Sequence, residues 1–142
     1  MPENISVLGF DVGTKWIGSA IGQTLTQTAS PLEGIRVINN KPDWDAIEKL
    51  IRTWQPDRCI VGLPSSMIGK KSAMTEIAKR FSRQLEGRFQ IKTELIDERL
   101  TTREAWQIIE HSEQKNTRKQ DIDCIAAVLI TETWLHQPEA LQ

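Results

Sequence analysis

Carboxylates stand at the ends of predicted strands and helices at three places in the chain. These residues are Asp11, Asp97, Glu98, Asp121 and Asp123. The first ends an apolar run, the next two end the last predicted strand, and the final two open the last predicted helix. Grouped carboxylates repel one another unless a cation neutralises them, and Mg²⁺ or Mn²⁺ prefers such oxygen ligands. If these ends converge, they could hold one or two metal ions for phosphodiester hydrolysis.

Each carboxylate also has a simpler explanation. Asp11 could begin a tight turn, because Asp accepts hydrogen bonds from nearby backbone amides, and Glu98 could pair with Arg99 at the surface. Asp121 and Asp123 could both be helix-start charges that the helix dipole favours. At about 100° per residue these two point roughly 200° apart, so only one can face the strand ends. The apolar stripe of the helix does not choose between them.

The order of apolar patterns predicts an α/β domain with a mixed sheet. The first half of the chain is predicted to form a strand hairpin around an Asp-Val-Gly-Thr turn (11–14), a weaker strand at 32–38, a helix from Trp44 to Trp54 and a strand at 58–63. The second half is predicted to form a helix capped by Gly87, a strand at 89–96, a helix that begins with a capping box at 101–104, and a final helix from about 121 to about 136. Both tryptophans of the first helix are predicted to lie in the core.

The composition is that of a globular protein with one domain, covering residues 1–142. The chain is 39% hydrophobic and 26% charged, with no apolar run long enough to span a bilayer and no secretory signal. These features predict a cytoplasmic protein. Cys59 and Cys124 each lie in an apolar segment and are predicted to be buried, reduced thiols.

Basic residues are concentrated in one segment although the net charge is −1. From Lys70 to Lys92 there are seven basic residues against two acidic ones. This face could follow a phosphate backbone, or it could be an ordinary solvated helix surface. The segment 111–120 contains no apolar residue and is predicted to be a mobile loop.

Four motifs in this order resemble the YqgF family: FDVGTKWIG, IVGLP, DERLTTREA and DIDCIAA. Members of this family are small bacterial proteins described as Holliday-junction-resolvase-like and as nucleases for the precursor of 16S ribosomal RNA. The resemblance covers essentially the whole chain. It implies a ribonuclease H-like fold, in which a five-stranded mixed β-sheet is flanked by α-helices.

The resemblance also implies a site. Asp11, Glu98 and Asp123 match the family's carboxylates, and they would be catalytic residues that bind Mg²⁺ or Mn²⁺ as cofactor. The residues predicted to contact nucleic acid are Thr14, Lys15, Lys70, Lys71, Arg99, Arg118 and Lys119. One departure from the family is Ile68, which stands where its members commonly carry an acidic residue. Whatever that acid contacts in other members has no counterpart at this position.

The leading hypothesis is a metal-dependent endonuclease acting on structured RNA, with pre-16S rRNA in ribosomal precursor particles as the implied substrate. A four-way DNA junction is the alternative substrate, and the sequence does not choose between the two. A second hypothesis is a binding module of the same fold that does not cut. A third is an actin-like ATPase or sugar kinase, but that architecture uses two such domains and 142 residues provide one. The sequence does not indicate the oligomeric state.

Overall fold

Nearly continuous runs of buried residues form the central strands, and apolar residues at helical spacing form the first two helices. A computed structural model describes residues 4–63, 73–97 and 119–137, with only the backbone described for 119–123. The elements are β1 (Ser6–Val12), β2 (Trp16–Gln23), β3 (Thr28–Pro31), β4 (Ile35–Ile38), β5 (Lys41–Pro42), α1 (Trp44–Trp54), β6 (Arg58–Leu63), α2 (Ala73–Phe89), β7 (Lys92–Asp97) and α3 (Lys119–Leu135). The predicted capping box at 101–104 and its helix lie outside the described residues.

The strands form one mixed sheet in the order β5-β4-β2-β1-β6-β7, and β3 pairs with β2. β1 runs antiparallel to β2 and parallel to β6, which is parallel to β7. The α/β prediction is confirmed, but the described residues contain seven strands where five were expected. Asn39 and Asn40 adopt positive φ values of 52° and 61°, as a two-residue hairpin turn requires. The Asn-Asn pair therefore reverses the chain into a short extra strand, and β3 adds another at β2.

Residues of β1 alternate between the two faces of the sheet. Leu8, Phe10 and Val12 lie in the larger core cluster, which includes residues of α1 and α2. Val7 packs in a second cluster with residues of α3, and Gly9 lies against the same helix. The period of two therefore gives the central strand one face covered by α1 and α2 and another covered by α3.

Local signals define both ends of α1. The Asp43 side chain accepts a hydrogen bond from the Ala46 amide at the start, and Gln55 adopts the left-handed conformation at the end. Trp44 stacks on Phe81 with ring centroids 5.5 Å apart, which confirms its predicted core position. The core prediction for Trp54 is wrong, because this last residue of the helix is 41% exposed.

The helix α2 continues past the predicted cap at Gly87 and ends at Phe89. Gln90 takes the positive φ of 55° that ends the helix, and its amide donates to the Glu86 carbonyl. Because the helix extends to Phe89, the ring centroids of Phe89 and Trp44 lie 6.2 Å apart. The guanidinium carbon of Arg88 lies 4.3 Å from the Trp44 ring centroid. The two added side chains close over Trp44, which explains why the helix passes a residue that usually terminates one.

Small residues allow α3 to lie unusually close to the sheet. A Cβ at Gly9 would lie 1.7 Å from Thr131 Oγ1, and one at Gly22 would lie 2.9 Å from Leu135 Cδ1. Thr131 is fully buried, and its hydroxyl donates to the Ala127 carbonyl at 2.6 Å. Glycine is needed at these positions because any side chain would push the helix away. Within the described ranges no helix, α3 included, is long and apolar enough to span a membrane.

Replacing Gly9 with Ala is expected to destabilise the domain, because the new methyl group would overlap the Thr131 hydroxyl. Overpacking of this kind costs about 1–3 kcal/mol. Gly87→Ala is the matched control, since nothing lies within 4 Å of a Cβ at that position and alanine stabilises a helix by about 0.5–1 kcal/mol over glycine. In urea unfolding, the midpoint should fall for Gly9→Ala and rise for Gly87→Ala.

A second substitution tests whether the Gly9 effect comes from this contact. Thr131→Ala removes the overlapping hydroxyl, so Gly9→Ala should cost less in that background than in the native chain. The expected coupling is about 0.5–3 kcal/mol. Strictly additive free energies of unfolding would contradict the close contact between β1 and α3.

The two cysteines are buried thiols, as predicted. Burial raises the pKa of the Cys59 thiol from 9.0 to about 12. Because the thiolate is the reactive form, iodoacetamide at pH 8 should leave Cys59 unlabelled in the folded chain and label it rapidly in urea, as followed by peptide mapping. Above pH 9 the thiol ionises in the unfolded chain before it ionises in the folded one. The unfolded state is therefore favoured, and the free energy of unfolding falls as pH rises above about 9. Equal labelling of folded and unfolded chains would contradict this prediction.

Candidate active site

Asp11 is a strand residue and not part of the turn that follows. It pairs with Gly18 in the β1–β2 ladder, and the turn consists of residues 13–15, closed by a hydrogen bond from the Gly13 amide to the Trp16 carbonyl. The backbone of Asp11 therefore lies in the strand, two residues before the turn begins. By the alternation of β1, its half-buried side chain lies on the face that α3 covers.

β7 ends on the same side of the sheet as the carboxyl end of β1, where Asp11 lies. β1, β6 and β7 run parallel, and Leu63 at the end of β6 pairs with Asp97 at the end of β7. Extending the β1–β6 register by two residues from Phe10 brings Val12 level with Leu63. Two strand spacings separate β1 from β7, which is roughly 10 Å. β7 is thus an outermost strand of the described sheet and not a central one. Glu98, the next residue in the chain, lies outside the described residues.

The helix α3 runs antiparallel to β1 across this face. Leu135 lies against Gly22, which pairs with Val7 near the start of β1, while Thr131 lies against Gly9. Preceding turns of the helix therefore advance toward Asp11. Positions 121 and 123 occupy the first turns of α3, and their side chains lie outside the described residues. Within the described residues, no group of three or more Asp, Glu, His or Cys side chains forms a metal cluster.

The predicted nucleic-acid contacts divide into described and undescribed residues. Thr14 and Lys15 are exposed in the turn after Asp11, and the Lys15 carbonyl accepts a hydrogen bond from the Val37 amide at 2.8 Å. This bond fixes the turn against β4. The remaining predicted contacts lie outside the description, in whole or in their side chains: Lys70, Lys71, Arg99, Arg118 and Lys119.

The described part of the basic segment lies on the opposite face of the sheet. Its helix, α2, packs on the core that contains Phe10 and Val12, whereas Asp11 faces α3. Arg80 is the described basic residue of this helix that lines a surface pocket together with Gly13 and Thr14, a pocket of about 360 Å³ including open solvent. The structure therefore separates most of this basic surface from the carboxylate edge.

Two residues near Asp11 were not among the predicted site residues. Trp16 and Arg36 are paired across β2 and β4, and the Arg36 guanidinium carbon lies 6.0 Å from the Trp16 ring centroid. Trp16 could have been placed on the face of Asp11 from its alternation with the buried Ile17. Arg36 could not, because its position depends on a strand register that the sequence does not reveal.

Comparison with family models gives a match over nearly the whole chain. The model described as "RuvX: Holliday junction resolvase" matches residues 5–137. A protein of Shewanella denitrificans is 46% identical over 135 residues, which cover 94% of this chain and 96% of that protein. A protein of Proteus mirabilis is 44% identical over 136 residues, covering 95% of this chain and 98% of that protein. Both relatives carry the name "Putative pre-16S rRNA nuclease".

Solved structures of resolvases share the fold at low sequence identity. Thermus thermophilus RuvC, in complex with a Holliday junction substrate, gives a TM-score of 0.57 at 11% identity and covers 92% of this chain and 94% of its own. The fowlpox virus resolvase, in complex with Holliday junction DNA, gives 0.57 at 12% identity and covers 97% of this chain and 100% of its own. These similarities confirm the ribonuclease H-like fold.

The family model and the full-length relatives agree with the resemblance that the four motifs indicated. The match includes β1 with Asp11, the end of β7 and the start of α3, which are the three places where the carboxylates stand. The chain belongs to the RuvX family, also called the YqgF family.

Proposed function

We propose that this protein is a metal-dependent endonuclease that hydrolyses phosphodiester bonds in the precursor of 16S rRNA. The observation that carries the proposal is the position of Asp11 on the α3 face of β1, at the edge where the parallel strands end. The names of the relatives supply the substrate, and nucleases of this fold generally use divalent metal ions.

Two further carboxylates complete the proposed site. Glu98 is bonded to Asp97 at the end of β7, and Ile96, two residues before it, packs in the cluster that contains α3 residues. We choose Glu98 over Asp97 as a ligand because Glu98 matches the family's carboxylate in the DERLTTREA motif. Position 123 is one helical turn before Ala127, whose carbonyl lies near Gly9.

Helical periodicity favours Asp123 over Asp121 as the third ligand. Positions 123, 127 and 131 follow one another at intervals of four and share a face of α3. Position 121 lies about 200° from position 123 around the helix. Ala127 and Thr131 lie against the sheet at Gly9, and around the helix position 123 lies about 60° from the midpoint of these two, whereas position 121 lies about 100° from it.

The donor set fits a hard divalent cation. Three carboxylates offer the oxygen ligands that Mg²⁺ and Mn²⁺ prefer. Cys59 and Cys124 are buried, and His136 is at the opposite end of α3, where its Nε2 lies 2.9 Å from the Gln27 carbonyl. Bound cations would lower the pKa of the attacking water and stabilise the charge that develops on the phosphate oxygens.

The turn after Asp11 is suited to positioning the substrate. Lys15 is exposed and supplies a positive charge for a phosphate, and the Thr14 hydroxyl can donate a hydrogen bond to the same group. Gly13 has no side chain to keep a phosphate from the backbone. We propose that Lys70, Lys71, Arg99, Arg118 and Lys119 contact the substrate further from the cleaved bond.

Asp11→Asn should abolish metal-dependent cleavage while the domain stays folded, because it keeps the shape of the side chain and removes its charge. Loss of a metal ligand should lower the rate at least about a hundredfold. Asp45→Asn is the control, since Asp45 is exposed in the first turn of α1 on the other face. Cleavage of pre-16S rRNA and of a four-way DNA junction would be compared in Mg²⁺, Mn²⁺ and EDTA.

Three outcomes of this experiment would be informative. Cleavage that needs metal and disappears only in Asp11→Asn supports the endonuclease, and the preferred substrate identifies the pathway. Equal cutting by both variants would mean a contaminating nuclease and would leave the proposal without support. A folded wild type that binds both substrates in the presence of metal and cuts neither would favour the non-cleaving binding module.

A pair of substitutions within α3 tests the choice of the third ligand. Asp123→Asn should reduce cleavage about as strongly as Asp11→Asn, whereas Asp121→Asn should leave most of the activity. Both changes remove one charge from the same helix end, so effects on the helix dipole are matched. Calorimetric titration with Mn²⁺ should show weakened binding for Asp123→Asn alone. Equal loss of activity in the two variants would contradict the assignment.

A further inference from the structure

A groove lined by Trp16 begins on β2, the strand next to Asp11, on the same face of the sheet. Asp11 pairs with Gly18, so Trp16 is its diagonal neighbour on β2, with backbones roughly 7–8 Å apart. Trp16 pairs in turn with Arg36 on β4. Because paired residues share a face, the ring and the guanidinium both lie on the face of Asp11.

The groove is open and has both apolar and polar surface. It encloses about 750 Å³, including solvent at its mouth, and its lining residues are Lys15, Trp16, Arg36, Val37, Ile38 and Asn39. Ile38 is 58% exposed, an unusual environment for a large aliphatic side chain beside two cations. Trp16 is half-buried. Part of its side chain is therefore held by the protein, and the rest is accessible to a ligand.

The charge of this surface is positive. Lys15, Arg36 and Lys41 are all exposed, and within the described part of the chain none of them forms an ion pair with a carboxylate. Lys41 pairs with Ile38 across β4 and β5, which places it on the same face as Arg36. The three cations thus extend from the turn after Asp11 across β4 to β5, the outermost strand on this side of the sheet.

The backbone of the groove is fixed by hydrogen bonds. The Val37 amide donates to the Lys15 carbonyl at 2.8 Å, and the Asp43 amide donates to the Arg36 carbonyl at 3.1 Å. Asn39 and Asn40 close the β4–β5 turn with positive φ. The aromatic ring and the cations are therefore presented on a rigid sheet edge, which lowers the entropic cost of binding a flexible ligand.

We propose that this groove binds a single-stranded segment of nucleic acid next to the cleaved bond. A base would stack on Trp16 and contact Ile38, while Arg36, Lys15 and Lys41 would neutralise the adjacent phosphates. The bases of a duplex are already stacked and paired, so an aromatic wall favours unpaired nucleotides. Stacking and phosphate contacts are common to RNA and single-stranded DNA. The inference rests on the proposed function, because Asp11 defines which end of the groove faces the reaction.

The test measures binding separately from cleavage. Fluorescence anisotropy in EDTA, with Asp11→Asn as the parent protein, would compare a labelled single-stranded RNA, the same sequence as DNA, and a duplex RNA. Trp16→Ala should weaken binding of both single strands roughly tenfold or more, and it should affect the duplex much less. Trp16→Phe should restore most of the affinity, because phenylalanine also offers a ring for stacking.

Matched controls separate the groove from general effects. Trp54→Ala also removes an exposed tryptophan, but on α1, and should leave binding unchanged. Arg36→Gln should reduce the slope of log affinity against log salt by about 0.7, as expected for one lost phosphate contact to a single strand. Arg52→Gln, an exposed arginine of α1 that pairs with Glu48, should leave the slope unaltered. Thermal unfolding of each variant would confirm that it is folded.

The inference is overturned if folded Trp16→Ala and Arg36→Gln bind single strands as tightly as the parent. It is also overturned if the parent binds the duplex but not the single strands. Either result would leave the endonuclease proposal to be judged by metal-dependent cleavage in the wild type. If binding falls as predicted and the wild type cuts nothing, the groove stands and the catalytic proposal fails.

Discussion

The contact between α3 and the glycines of β1 and β2 is the constraint on which the candidate site depends. The Thr131 side chain occupies the space that a Cβ of Gly9 would need, and Leu135 does the same at Gly22. This contact fixes the height and direction of the helix over the sheet. The first turns of α3 consequently lie toward the end of β1 that contains Asp11. A longer residue at Gly9 would move both the packing and the site.

The parallel arrangement of β1, β6 and β7 is the second requirement. It brings the carboxyl ends of strands that are far apart in sequence to the same end of the sheet, where two strand spacings, roughly 10 Å, separate β1 from β7. The same topology assigns the basic helix α2 to the other face. Among the described residues, Lys15 lies in the turn after Asp11 and Arg36 lies on the Asp11 face of β4, whereas α2 packs on the other face.

The sequence predicted the buried elements well and the edges poorly. The apolar runs of β1, β2 and β6 and the spacing in α1 determine these elements locally, because periodicity directly reflects burial. The hairpin at Asn39 and Asn40 was not among the predicted elements, since such a pair fits a loop as well as a hairpin turn. Gly87 was misleading because the packing of Arg88 and Phe89 over Trp44 outweighs a local termination signal. Trp54 was misplaced because helical spacing does not show where a helix extends past its sheet.

By itself the sequence determined the α/β class and the buried cysteines, and it indicated Asp11 as a candidate site residue, because charge at the end of an apolar strand is visible in a local pattern. The four motifs also determined the family. Only the tertiary structure decided that Asp11 belongs to the ladder, that it faces α3, and that Arg36 lies on the same face, paired with Trp16. These facts depend on strand register and on the face of the sheet that a helix covers. Both are set by contacts between residues distant in the chain, such as that of Gly9 with Thr131.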